Sequence, residues 1–300
     1  MSRFDAPEAI CTKQSDAIRL LVEPKSKDLG GFSVRRILPA PAIDKVGPFV
    51  FMDEMGPASF PPGEGIKVRP HPHIGLSTVT YLFKGEIVHR DSLDYVQPIQ
   101  PGAVNLMTAG KGIVHSERTS EALLASGQAL HGMQVWMALP DDKQEVEPAF
   151  EHYSKECLPI IDAHGVTTTI IIGEHAGAIS PVSVLAETIY LEQQVTAGTR
   201  VVLNSVNELA AYVVSGRLRT ADCEVGAGQM AVFNTAVEPA YTALVDSRVM
   251  VLGGESMSPR HIFWNFVHTS RDRIEQAKQD WRDGKFTSVK GDDEFIPLPE

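Results

Sequence analysis

Two pairs of metal-binding residue types, each with one residue between its members, constrain the fold of this chain more than any other feature. His71 and His73 form the first pair, and His115 and Glu117 form the second. Side chains at positions i and i+2 of a β-strand point to the same face. If both segments are strands, all four side chains can converge inside one short β-barrel.

The sequence around these pairs favours β-strands. Residues 77–83 (STVTYLF) are rich in β-branched and aromatic residues and lead into a turn at residues 84–86. A second apolar segment, residues 102–107, leads through the glycine-containing stretch 109–112 back to His115. These glycines predict a tight turn that directs the returning strand towards the first pair.

Three imidazoles and one carboxylate suit a borderline first-row metal such as iron, nickel, copper or zinc. One His-x-His spacing alone is often accidental, but two ligand pairs on predicted strands favour a metal site. The alternative is that the histidines of the first pair lie on the surface of a strand and that the second pair is also exposed. We therefore predict a metal site formed by His71, His73, His115 and Glu117.

Five segments form a recognisable set: residues 71–82 (HPHIGLSTVTYL), 89–93 (HRDSL), 107–117 (MTAGKGIVHSE), 132–136 (GMQVW) and 259–266 (PRHIFWNF). Together they resemble the pirins, a family within the cupin superfamily. The resemblance covers most of the chain, and its central blocks are specific.

The resemblance implies an all-β bicupin, with two cupin-type (jelly-roll) β-barrels in tandem and a C-terminal helix. It also implies that His71, His73, His115 and Glu117 hold one divalent metal ion per chain, Fe(II), with Ni, Cu, Zn and Mn as alternatives. The common cupin pattern has a carboxylate after the His-x-His pair, where this chain has Ser77 and Thr78. As in pirins, Glu117 would replace that carboxylate.

Two functions from different classes follow from the resemblance. One is quercetin 2,3-dioxygenase activity on a small aromatic flavonol and dioxygen, with Glu117 both as a metal ligand and as the base that takes the hydroxyl proton. The other is a redox-responsive regulator that acts on transcription or metabolism through protein partners. An enzyme needs an apolar cavity for a planar aromatic molecule beside the metal, whereas a sensor does not. Another metal-dependent oxygenase or isomerase on the same fold is a third possibility.

The chain is long enough for two domains, and an internal repeat supports this division. Residues 81–85 (YLFKG) are echoed by residues 212–216 (YVVSG), and the proline-bounded polar stretch 140–148 is the predicted link. We predict a metal-binding barrel in residues 1–145 and a second barrel without ligands, with the helix and tail, in residues 146–300. The repeat aligns Val202 and Asn204 with His71 and His73, and Tyr241 and Ala243 with His115 and Glu117.

One segment has a clear helical pattern. In residues 271–283, Ile274, Ala277 and Trp281 recur at spacings of three and four, and Thr269 or Ser270 can cap the first turn. We expect this helix to pack against a sheet. The polar stretch 120–128 is predicted to be an ordinary loop beside the metal site.

Several residues near the predicted ligands are candidates for supporting roles. His89, Arg90 and Asp91 could orient the metal ligands, or Arg90 and Asp91 could form a structural ion pair. His131 is predicted to be a hydrogen-bonded loop residue rather than a fifth ligand. The candidates for lining a pocket, which could also be plain core residues, are Phe51, Met52, Gln134 and Trp136.

Charge and composition narrow the classes of partner and compartment. A net charge of −11 argues against direct binding to nucleic acid, which needs a clustered basic surface. Apolar runs are only strand-sized, so we expect no membrane span, and the N-terminus lacks a secretory pattern. Three scattered cysteines, Cys11, Cys157 and Cys223, favour a reducing compartment, and we predict a cytoplasmic protein.

Overall fold

The computed structural model describes residues 16–28, 33–221 and 223–299 of the 300-residue chain. Cys11 and the N-terminal residues used to assess a secretory pattern lie outside the described residues. The predicted all-β fold with a C-terminal helix is confirmed, since strands dominate the described chain. Within these ranges, no helix has both the length and the apolar character needed to cross a membrane.

The strands fall into two sets that follow one another along the chain. Those up to residue 153 are β1 (Ile18–Val22), β2 (Lys25–Asp28), β3 (Ser33–Leu38), β4 (Phe49–Phe60), β5 (Lys67–His73), β6 (Leu76–Lys84), β7 (Ile87–Asp91), β8 (Val96–Ile99), β9 (Val104–Thr108), β10 (Ile113–Arg118), β11 (Gln128–Ala138) and β12 (Ala149–Tyr153). The later ones are β13 (Ile160–Ala163), β14 (Val166–Ile172), β15 (Glu174–His175), β16 (Ala178–Ile179), β17 (Thr188–Val195), β18 (Arg200–Val202), β19 (Glu208–Ser215), β20 (Arg217–Arg219), β21 (Glu224–Gly226), β22 (Met230–Phe233), β23 (Ala240–Ala243), β24 (Ser247–Gly254), β25 (His261–Phe263) and β26 (Phe266–His268).

Each barrel combines a seven-stranded sheet with a four-stranded sheet. In the first barrel the orders are β12-β9-β6-β11-β4-β3-β2 and β5-β10-β7-β8. In the second they are β1-β22-β19-β24-β17-β14-β13 and β18-β23-β20-β21. The matching strand orders are those expected of a duplicated unit, and they place both predicted ligand pairs in the four-stranded sheet of the first barrel.

The two large sheets exchange strands across the predicted domain boundary. Strand β1 precedes the first barrel in the sequence but pairs with β22 of the second barrel. Strand β12 precedes the second barrel but pairs with β9 of the first. The boundary near residue 145 stays a prediction. In the structure, each barrel includes one strand that lies close to the other barrel in the sequence.

The large sheets pack against each other through one shared core that contains two buried tyrosine–glutamate pairs. Tyr81 on β6 donates to Glu192 on β17 at 2.5 Å, and Tyr212 on β19 donates to Glu54 on β4. Burial, and then the adjacent carboxylate, raise the pKa of each tyrosine. Because the repeat matches Tyr81 with Tyr212, these bonds form two related contacts that join the barrels.

A second contact between the barrels involves Glu208 of β19. Its carboxylate accepts from the backbone N–H of Gly47 at 2.7 Å, from Ser256 Oγ at 2.6 Å and from Lys45 Nζ at 3.3 Å. Burial alone would raise the pKa of Glu208, but the hydrogen bonds and the positive charge of Lys45 outweigh it and lower the pKa. The ionised form of Glu208 therefore stabilises this contact.

The C-terminal helix matches its prediction. Helix α2 spans Arg271–Arg282, the Ser270 side chain accepts from the backbone N–H of Arg273, and Ile274, Ala277 and Trp281 are buried. The stretch 120–128 is not simply a loop, because it contains the short helix α1 (Glu121–Ser126), which has no buried residue. At six residues this helix is too short to show a helical period, which is why the pattern missed it.

The interior of the second barrel is filled with apolar side chains. Val201 pairs with Tyr241 across the sheet, as His71 pairs with His115 in the first barrel. The alignment that matched Val202 with His71 was therefore wrong by one residue, and Val202 is 44% exposed. A slip of one residue exchanges the two faces of a strand. The buried residues at these positions are Val201, Leu203, Tyr241 and Ala243. One metal per chain stays a prediction.

Candidate metal centre and its cavity

Three imidazoles from two neighbouring strands meet inside the first barrel. His71 and His73 lie on β5, His115 lies on β10, and one ring nitrogen from each lies within 4.8 Å of the others. His71 and His115 are direct partners in the antiparallel ladder. The surface alternative is wrong for His73 and His115, which are only 1% and 2% exposed, while His71 is half-buried.

The turn between β5 and β6 and the turn before β10 hold these strands in place. Gly75 donates its backbone N–H to the carbonyl of Gly110 at 2.8 Å, so the two turns contact each other directly. A Cβ on Gly110, where φ is 50°, would lie 1.9 Å from the carbonyl oxygen of Val146. Only glycine fits at this position, as the predicted tight turn requires.

Ring nitrogens of the imidazoles face one another across the site. His71 Nδ1 donates to the carbonyl of Arg69 at 2.8 Å, which leaves Nε2 as its free acceptor. His73 Nε2 and His115 Nε2 face each other at 3.1 Å. Burial lowers the pKa of His71 to about 4 and that of the other two well below the ordinary value, so the rings are neutral. Neutral, converging imidazoles form a donor set that fits a first-row metal ion.

Behind His115, a buried imidazole and a carboxylate form a chain of contacts. His89 Nδ1 lies 3.4 Å from His115 Nδ1, and His89 Nε2 donates to Asp91 Oδ2 at 2.9 Å. Phe150 of β12 stacks on His89 with ring centroids 4.3 Å apart. Asp91 thus pairs with His89 rather than with Arg90, which strand alternation turns to the opposite face. This arrangement can fix the tautomer in which His115 Nε2 is free to bind a metal.

Glu117 lines the same cavity but is set apart from the three imidazoles. It is half-buried on β10 and does not belong to the group whose ligand atoms all lie within 4.8 Å of one another. Burial raises the pKa of its carboxyl to about 7. Its roles as fourth ligand and as base stay predictions.

A β-bulge separates Glu117 from the histidines. On β10 one residue lies between His115 and Glu117, but their partners on β5 are His71 and Val68, with two residues between them. Such a bulge re-aims side chains and is common beside active sites. Here Lys67, Val68 and Arg69 all border the cavity, which strict alternation would not allow.

The cavity has a volume of about 460 Å³ and an aromatic wall. Phe51 stacks on Trp136 with centroids 4.0 Å apart and planes 12° apart, and the Trp136 ring contacts His73 edge-on at 5.0 Å. The predicted residues Phe51, Gln134 and Trp136 line the cavity. Met52 does not, because it points from the other face of β4 into the core shared by the barrels.

The C-terminal tail covers part of the cavity mouth, and the sequence patterns did not predict this. Ile296 lines the cavity, and its carbonyl accepts from the Trp281 indole at 3.0 Å. Arg118 holds the tail through two hydrogen bonds to Asp292, at 2.8 and 2.9 Å. An arginine directly after the predicted ligand Glu117 was the only local signal for this contact.

His131 is hydrogen-bonded, as predicted, but it lies on strand β11 rather than in a loop. Its Nε2 lies 2.7 Å from Glu54 Oε1, at the contact between the barrels and away from the cavity. It therefore supports the packing of the barrels.

Family models match both halves of the chain. The Pirin model matches residues 31–137, which include all four predicted ligands, and the Pirin C-terminal cupin domain matches residues 190–287. Together these segments cover more than half of the chain.

Relatives and a solved structure agree with these matches. A pirin-like protein of Caulobacter vibrioides is 47% identical over 94% of this chain and 100% of its own length. A Pseudomonas aeruginosa protein, named as a candidate quercetin 2,3-dioxygenase, is 33% identical over 91% of this chain and 87% of its own. The crystal structure of quercetin 2,3-dioxygenase from Acinetobacter baumannii superposes with a TM-score of 0.86 at 33% identity, covering 93% of this chain and 94% of that one. The chain belongs to the pirin family.

Proposed function

We propose that the protein is a metal-dependent dioxygenase that acts on a flavonol such as quercetin, with one Fe(II) in the first barrel. The observation that carries this proposal is a cavity of about 460 Å³ that opens directly onto three converging imidazoles. Its volume falls within the roughly 300–1,000 Å³ usual for small-molecule sites. The similarity to proteins named for quercetin 2,3-dioxygenase activity supports the same substrate class.

In this proposal the imidazoles of His71, His73 and His115 hold the metal, and Glu117 completes the set. Ni, Cu, Zn and Mn are alternatives, because such donors do not select one ion by affinity alone. When bound, the metal acts as a Lewis acid that lowers the pKa of a hydroxyl group placed against it. The chain itself must then hold the aromatic rings, exclude water and accept the hydroxyl proton.

Two groups of side chains fit these tasks. The stacked Phe51 and Trp136 offer a flat apolar surface on which planar rings can lie, directly beside His73. Glu117 is suited to accept the hydroxyl proton, because burial raises the pKa of its carboxyl to about 7, close to the pH at which a general base is most effective. Binding to a metal would reduce this basicity, so its roles as ligand and as base must be tested separately.

The regulatory alternative, in which the metal reports redox state to a protein partner, requires no cavity beside the metal. An aromatic-walled cavity of this size therefore favours the enzyme.

The test is dioxygen uptake and carbon monoxide release with quercetin, using iron-reconstituted protein. We expect turnover by the wild type and its loss in His71→Ala and Glu117→Ala. His164→Asn is a matched control, because His164 is exposed in a turn with positive φ, which asparagine tolerates. It should retain both metal and activity.

Glu117→Gln separates the two roles of this residue. Retention of the metal with loss of turnover would support the base, whereas retention of both would refute it. One metal per wild-type chain without any turnover would refute the dioxygenase and favour the regulatory function.

A further inference from the structure

The mouth of the cavity carries positive charge, although the whole chain has a net charge of −11. Three basic residues, Arg36, Lys67 and Arg69, line the cavity. Arg36 is neutralised by two hydrogen bonds to Asp53, both 2.9 Å long. Among the described residues, neither Lys67 nor Arg69 forms an ion pair with a carboxylate.

Strand β5 runs from this mouth to the floor of the cavity. Lys67 and Arg69 are exposed, His71 is half-buried and His73 is buried, so these four side chains become more buried towards the floor. A strand rises roughly 3.3 Å per residue, which puts Arg69 about 7 Å and Lys67 about 13 Å from His71 along β5. A ligand bound at the metal-facing imidazoles would have to extend by about one to two aromatic rings to reach Arg69 and Lys67.

The C-terminal tail positions Arg69 without cancelling its charge. Arg69 Nη1 donates to the backbone carbonyl of Phe295 at 3.3 Å, which uses one of the five N–H donors of the guanidinium and provides no negative charge. Arg118 binds two of the acidic residues of the tail, Asp292 and Glu294, and within the described chain the exposed Asp293 forms no ion pair with Lys67 or Arg69. The charges of Lys67 and Arg69 therefore remain available to a ligand.

The opposite wall is aromatic. The guanidinium of Arg36 lies 4.5 Å from the centre of the Phe51 ring, and Phe51 stacks on Trp136, which reaches His73. A ligand that matches both surfaces has flat rings for this wall and an anionic group at the end that faces the mouth. A flavonol without a charged substituent would contact only the aromatic wall and would leave the cations at the mouth unpaired.

We propose that the cavity selects aromatic substrates that carry a carboxylate at the end remote from the metal, and that Lys67 and Arg69 bind this carboxylate. This inference rests on the proposed function and narrows its substrate class. Arginine binds a carboxylate through two parallel hydrogen bonds, and lysine adds a second charge. Because both cations are exposed, we expect a moderate preference of about tenfold in affinity.

The experiment compares two ligands, 3-hydroxyflavone and the same molecule with a carboxylate at the 4′ position. Binding to zinc-loaded protein is measured by calorimetry and by quenching of tryptophan fluorescence, since Trp136 and Trp264 line the cavity. The carboxylate should bind about tenfold more tightly to the wild type, and this preference should shrink as salt is added. Lys67→Gln and Arg69→Gln should each reduce the preference and leave the affinity for 3-hydroxyflavone unchanged.

Lys84→Gln is the matched control, because Lys84 is an exposed lysine at the end of β6 that does not line the cavity. It should keep the full preference. Equal affinities for both ligands in the wild type, or a preference that survives in the Lys67→Gln/Arg69→Gln double variant, would overturn the inference. A carboxylate preference without oxidation of either ligand by the iron-loaded protein would support this selectivity and refute the dioxygenase.

Discussion

Replacing Asp91 with asparagine tests whether the buried chain behind His115 holds that imidazole in its metal-binding tautomer. Asparagine keeps the oxygen that accepts from the backbone N–H groups of Leu93 and Tyr95, at 2.9 and 3.1 Å, so the local turn should survive. It replaces the other oxygen, which accepts from His89 Nε2 at 2.9 Å, with an N–H group. His89 must then change its tautomer, and the acceptor for His115 Nδ1 is lost.

The expected effect is a loss of metal affinity. Removing such an outer partner of a metal ligand typically costs roughly 10- to 100-fold, or about 1.4–2.7 kcal/mol. The His89–His115 contact is 3.4 Å, longer than a strong hydrogen bond, so the coupling is weak and we expect a loss of about tenfold.

Zinc affinity measured by competition with a chromophoric chelator gives the loss directly, and imidazole nitrogen NMR reports the tautomer of His115. Arg90→Gln is the control, because Arg90 is the next residue on β7 but faces the other side of the sheet. Wild-type zinc affinity in Asp91→Asn, with an unchanged tautomer, would refute the assigned role of Asp91.

Three further predictions concern stability. Adding zinc at about 100 times its Kd should raise the free energy of unfolding by about 2.7 kcal/mol, and this gain should disappear in His115→Ala, as seen by thermal unfolding. Tyr81→Phe removes the buried bond to Glu192 and should cost about 1.5–3 kcal/mol in urea unfolding, whereas Tyr153→Phe, which removes an exposed bond, should cost little; equal costs would contradict the role of the buried pair. The pKa of Glu208 is lowered in the folded protein, so its contribution to stability is complete above the ordinary value of 4.5 and disappears as the pH falls through the folded value. Glu208→Gln should therefore flatten the acid side of the stability profile, and an unchanged profile would exclude this contribution.

Short sequence patterns correctly predicted the features that depend on the geometry of a single helix or strand. The spacing of Ile274, Ala277 and Trp281 correctly gave the buried face of α2, because one face of a helix repeats every three to four residues. The His-x-His spacing correctly brought His71 and His73 to one face of a strand. In each case the pattern and the structure share the same short-range geometry.

What the patterns missed depends on contacts between distant segments. The bulge that brings Val68 and Arg69 to the cavity arises from the pairing of β5 with β10, which no single segment reveals. Ile296 is held at the mouth by contacts of the tail with Arg69, Arg118 and Trp281, which are distant from it in the sequence. Met52 shows a choice that the sequence left open, since an apolar residue beside Phe51 can face either the cavity or the core; the structure places it in the core.

Because β1 and β12 are exchanged, each barrel depends on the other half of the chain for an edge strand of its large sheet. A recombination event at the linker would deliver a barrel whose large sheet ends at β9 or β22, with unpaired backbone groups along that edge. Bare edges of this kind promote aggregation, so selection would act against inheriting one barrel without the other. The second barrel, with its apolar interior, thus supplies a strand partner and a packing surface for the barrel that holds the candidate metal centre.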